Sequence, residues 1–154
     1  MTNLFDHANQ QANVWVKDMM HELHQSDPHK ALRALRAGLQ TLRDRMTVDQ
    51  AAALSAQLPL LLRGVFFEGW VPKGKPLQLR HKAEFLDLLV EKYGHESNPI
   101  DGGSAHAADI VVALFRVLNR HVSTGEVTNI VMTLPEELLE LVSGRSLHER
   151  SEDR

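Results

Sequence analysis

Cysteine is absent from the 154 residues. That excludes structural disulfides, thiolate metal sites and a cysteine nucleophile, and it suits a reducing cytoplasm. Long apolar runs are missing too, since no stretch approaches the roughly 20 residues of a membrane helix. The opening residues, MTNLFDHANQQ, lack the basic and apolar regions of a secretion signal. Period-two alternation, the mark of a half-buried strand, is not found in any convincing segment. What remains is a soluble, cytoplasmic, all-α protein of one-domain length, able to bury roughly two-thirds of its unfolded surface.

Charge is unevenly placed. From Pro28 to Lys82 ten Lys and Arg stand against three acids, whereas from Ala83 to Arg154 six bases stand against thirteen. Over the whole chain the two nearly cancel, to a net charge of -3. Such polarity speaks of partners or self-association and not of fold.

The chain also repeats itself. A shift of 76 positions lays Ala31–Phe66 on Ala107–Val142 without a gap, matching Leu35 to Val111, Leu39 to Phe115, Leu42 to Leu118, Leu54 to Ile130 and Leu58-Pro59 to Leu134-Pro135. Upstream, a shift of 70 pairs Trp15, Met19 and Leu23 with Phe85, Leu89 and Tyr93. Each copy reads as four helices. Leu32, Leu35, Leu39, Leu42 and Met46 step by three and four along a central helix, and Asp27-Pro28 makes its N-cap and first position. Thr47 with Gln50 and Ser123 with Glu126 spell capping boxes for a short third helix. Pro59 and Pro135 each open a fourth.

The predicted architecture is therefore a helical bundle built from two diverged tandem copies of a four-helix unit. The first copy spans residues 8–67 and the second 82–142, joined by a Gly- and Pro-rich connector over 68–81 and followed by a flexible tail over 143–154. The first helix is expected from about Gln10 to His24, its counterpart from Lys82 to Tyr93.

Two stretches, LRAGLQTLRDR (Leu35–Arg45) and AQLPLLLRGVFFEGW (Ala56–Trp70), resemble the bacterial family catalogued as domain of unknown function 2267 (DUF2267). The more specific matches are Leu42-Arg43-Asp44-Arg45, Gln57-Leu58-Pro59 and Phe67-Glu68-Gly69-Trp70, within a similarity from about Gln10 to Val142. The resemblance implies an all-α fold of two related halves. It carries over no established activity and no catalytic residues.

Because both copies solve one folding problem, residues that differ in character between them are candidates for function. Arg33 lies on Asp109, Arg36 on Val112 and Arg43 on Asn119, so these arginines are not dictated by the unit's own core. With Arg63, Lys73, Lys75 and Arg80 they would form a basic surface for an anionic partner, either nucleic acid or an acidic protein face. Leu60 and Leu61 lie on Glu136 and Glu137, and Phe67 on Ser143. With Trp70 they would form an apolar surface that docks on a partner or on the other copy.

Catalytic patterns do not emerge. His21 and His24 are three apart and not the four of a zinc-protease helix, and Glu-x-x-His is absent. The loop Asp101-Gly102-Gly103-Ser104-Ala105-His106 lacks a P-loop lysine, and Ser104 suits an N-cap better than a nucleophile. No metal and no cofactor is expected. The sequence points to a non-enzymatic interaction module, self-association included; nucleic-acid binding through the 28–82 segment and an apolar ligand pocket between the copies are the alternatives.

Overall fold

The computed structural model describes residues 3–94 and 104–143. They form eight helices, with no strand among the described residues. These are α1 (Asp6–Leu23), α2 (Pro28–Asp44), α3 (Val48–Ser55), α4 (Leu60–Phe67), α5 (Lys82–Tyr93), α6 (Ser104–His121), α7 (Thr124–Val131) and α8 (136–143). The Asp101–Gly103 loop, the side chain of Ser104 and the tail beyond Ser143 lie outside the described residues.

Local chemistry sets most boundaries. The Asp27 carboxylate accepts from the His29 amide at 2.9 Å, with Pro28 as the first helical residue. Thr47 and Gln50 complete their capping box with bonds of 3.1 and 2.9 Å. Ser123 makes only the first half of its box, accepting from the Glu126 amide. Its own amide donates at 2.7 Å to the Gln57 side chain, so a bond across the copies replaces one within the turn. Pro59 and Pro135 each stand immediately before a helix, α4 and α8. α1 begins at Asp6, a full turn before the expected start, and closes on His24 in the left-handed region at φ 52°.

One core joins all eight helices. α2 and α6 cross at its centre; α1 packs on both, and so does α5, while α3 meets α7. At the α2–α6 crossing a Cβ on Gly38 would lie 2.8 Å from Cδ2 of Leu114. Gly38 and Leu114 are the same position in the two copies. The leucine fills the space that the glycine leaves, so the helices approach closely without a clash.

The end of α2 is tied down by polar groups. Arg43 is 3% exposed, its Nη1 donating to the carbonyls of Phe66 and Glu68 at 2.9 Å each. Its Nε and Nη2 both reach Asp44 Oδ1 at 2.9 Å. The other Asp44 oxygen holds Lys92 Nζ of α5 at 2.8 Å, and the Asp44 carbonyl accepts from the Leu77 amide at 2.7 Å. Arg45 donates to the Leu79 carbonyl, and burial lowers the pKa of its guanidinium. Four consecutive residues, Leu42 to Arg45, thus fasten α2 to the end of α4, the last turn of α5 and the connector. In the second copy Asp44 becomes Arg120 and Lys92 becomes Glu22 of the first, and these two are paired as well. The ion pair is retained with its sign reversed.

Arg43→Met should lower unfolding free energy by roughly 3–5 kcal/mol in urea titrations, since it strands a buried carboxylate and two carbonyls; a loss under about 1 kcal/mol would contradict the fastening role. At the helix crossing, Gly38→Ala and Leu114→Ala should each destabilise. The double variant should lose less than the sum of the two by more than about 0.5 kcal/mol, and simple additivity would argue against the contact.

Candidate functional site

The first turn of α4 decides which leucines reach water. Leu62 and Phe66, four apart, point into the core and leave Leu60 and Leu61 outside, 58% and 42% exposed. Their counterparts Glu136 and Glu137 open α8 and are exposed as well. The same two places therefore face water in both copies, with leucine in one and glutamate in the other. Glu137 has local work: it accepts from the Lys82 amide and meets His81 Nδ1, both at 3.2 Å, at the start of α5. The bond from His81 and that from the Lys82 amide lower its pKa. That contribution is present above the unfolded-state pKa and fades as pH falls through the depressed value.

Phe67 and Trp70 stand differently. Both are half-buried against the core, their rings 5.1 Å apart, and Phe67 also meets Phe66 edge-on at 5.0 Å. They support the exposed leucines from behind and present only part of their surface. The Trp70 indole N–H is buried and has no hydrogen-bond partner.

Leu60 borders an open groove of about 440 Å³ between α1, the α3–α4 turn and the end of α6. Val14 and Trp15 of α1, Leu58, Arg63 and His121 line it with Leu60. Trp15 stacks on His121 at 4.9 Å and 23°, and His121 Nε2 lies 2.6 Å from Asp18 Oδ2. The carboxylate fixes the imidazole, and the imidazole holds the indole as the groove's floor. Sequence comparison missed Val14, Trp15 and His121. Trp15 matches an apolar Phe85 and gives no contrast, and His121 enters from the other copy, which no within-copy alignment brings near Leu60.

The basic candidates do not assemble into one surface. Arg43 is a correction, because its guanidinium is buried and bonded inside the fold, so it cannot share a solvent-facing line with Arg36. Arg33 is turned to α5, where Nη2 donates to the Tyr93 carbonyl at 2.8 Å and the guanidinium lies 4.6 Å from the centre of the Tyr93 ring. A cation at that carbonyl complements the helix's negative end. Arg63 donates through Nε to the Leu58 carbonyl at 2.9 Å, bracing the turn that precedes its own helix. Arg36 is exposed and 3.7 Å from Glu68, and Lys73 and Arg80 are exposed while Lys75 is half-buried. Arginines that differ between copies are therefore in part structural: each copy meets different neighbours and its open carbonyls need different donors.

Other clusters offer little chemistry. Among the described residues no three His, Asp or Glu converge as metal ligands. A second groove of about 480 Å³ between α3 and α7 is lined by Met46, Ile130 and Met132 with Asp49 and Glu126. No helix of the described residues is long and apolar enough to cross a membrane.

No curated protein matches the chain. A family model described as Uncharacterized conserved protein (DUF2267) matches residues 12–141. The match begins at Ala12, the first buried residue of α1, and runs into α8, taking in the Arg43–Asp44 fastening and the α4 leucines. The chain belongs to the DUF2267 family.

Proposed function

We propose that this protein is a non-enzymatic helical interaction module of the cytoplasm, in which a duplicated unit has kept one copy's fourth helix as an anchor for a protein partner. The observation that carries this reading is the exposure of Leu60 and Leu61 at places where the other copy has Glu136 and Glu137. The fold does not require leucine there. Exposed apolar residues beside a groove with an aromatic floor are the usual ingredients of a docking surface. Phe67 and Trp70 give the patch a rigid backing, and Arg63 and His121 offer polar contacts at its border.

The reciprocal packing of α1 on α6 and α5 on α2 supports the duplication. Nucleic-acid binding draws less support: Arg33, Arg43 and Arg63 spend donors on carbonyls of the fold, which thins the basic surface such binding would use. A ligand pocket between the copies draws less still, since the α2–α6 crossing is filled by Leu114 against Gly38.

A photo-activatable side chain at position 61 should form covalent protein adducts in cells, and the same group at position 137 should form few. Leu60→Glu should suppress the adducts while leaving unfolding free energy within about 0.5 kcal/mol of wild type, as expected of an exposed site. Equal labelling at 61 and 137, or none at 61, would overturn the reading.

A further inference from the structure

The first six residues of α1, Asp6 to Gln11, contribute no buried side chain, and Leu4 and Phe5 just before them are 93% and 64% exposed. A helical turn without core contact gains little from propensity alone. Yet the turn is well tied: the Phe5 amide donates to Asn3 Oδ1 at 3.0 Å and the Asn3 amide to Asp6 Oδ2 at 3.1 Å. These bonds fix the turn that carries Leu4 and Phe5. In the second copy α5 starts at Lys82, the counterpart of Ala12, so this extra turn and a half belongs to the first copy alone.

We propose that the occupant of the α1–α4 groove is a second copy of this chain, docked through an antiparallel pairing of the two α1 helices. This deepens the interaction reading and rests on it. Leu4, His7, Gln11 and Val14 are spaced three, four and three, and so form one stripe along α1, and all four are exposed. Gln11 and Val14 also line the groove. The protruding pair and the groove thus lie on one face of one chain, separated by about 14 Å along the helix from Phe5 to Val14 at ~1.5 Å per residue. A two-fold axis midway along the stripe brings each protrusion to the other copy's groove, which is the self-complementarity that an isologous interface requires. In that register Leu4 meets Val14 of the other copy, and His7 meets Gln11.

Charge agrees with this arrangement. Asp6, on the first turn of α1, comes over the partner's groove, where Arg63 stands at the edge. The opposite pairing, parallel α1 helices, would stack Asp6 on Asp6 and leave both grooves open.

Light scattering should give twice the 17.3 kDa chain mass for the full chain. Phe5→Asp and Leu60→Glu should each return it to monomer with unchanged helical circular dichroism, a weakening on the order of a hundredfold for removing apolar burial at two symmetric sites. Because the protein has no cysteine, introduced thiols report on register directly. A mixture of His7→Cys and Gln11→Cys chains should cross-link on oxidation, and Met132→Cys, exposed away from the groove, should not. A monomeric wild type overturns the proposal. If position 61 then still yields adducts of another mass, the docking reading stands and only the identity of the partner is wrong. A dimer that survives both Phe5→Asp and Leu60→Glu also overturns it, by placing the contact elsewhere.

Discussion

The buried pair of Arg43 and Asp44 is the constraint on which the rest of this fold depends. Alone, an arginine and an aspartate removed from water would be a doubtful gain, since desolvation offsets much of their attraction. Here nearly every donor and acceptor is used: two carbonyls at the end of α4, the ammonium of Lys92 on α5, and an amide of the connector. Satisfied in this way, the pair fixes where α4 ends against α2 and so sets the direction in which Leu60 and Leu61 point. It also joins the copies, because Lys92 belongs to the second.

The sign-reversed counterpart, Arg120 with Glu22, holds the opposite junction, next to Asp18 and His121. There the polar groups lie closer to water and end at the groove floor beside Trp15. One junction is therefore a closed fastening and the other an open one. The two copies share an architecture while presenting different surfaces, and the apolar places on the first copy's fourth helix are kept solvent-facing by the same framework that turns Glu136 and Glu137 outward on the second.

Much of this was legible in the sequence. Local signals act within a few residues, so Asp27-Pro28, Thr47 to Gln50 and the two prolines located helices correctly. The three-and-four spacing of α2 marked the face that is buried. The exposure of Leu60 and Leu61 followed from the contrast with glutamate. The arginines were less legible, because a donor to a distant carbonyl and a donor to a partner look alike in a sequence. Arg43 differed from Asn119 for reasons of packing: its partners, Phe66 and Glu68, lie more than twenty positions away. The groove was hidden for a related reason, since it needs a residue from each copy. The early start of α1 could not be read from periodicity, as no core residue lies there to set a period; Asn3 and Asp6, three apart, were the signal.

The central claim is that the unsupported start of α1 and the exposed start of α4 are completed by a partner surface and not by the chain's own core. Amide hydrogen exchange measured across a range of protein concentrations tests this most directly, because core contacts are independent of concentration and docking is not. The account predicts that protection over Asp6–Gln11 and Leu60–Arg63 rises with concentration while that of α8 stays constant. Protection that is already high in dilute solution, or that never rises, would contradict it.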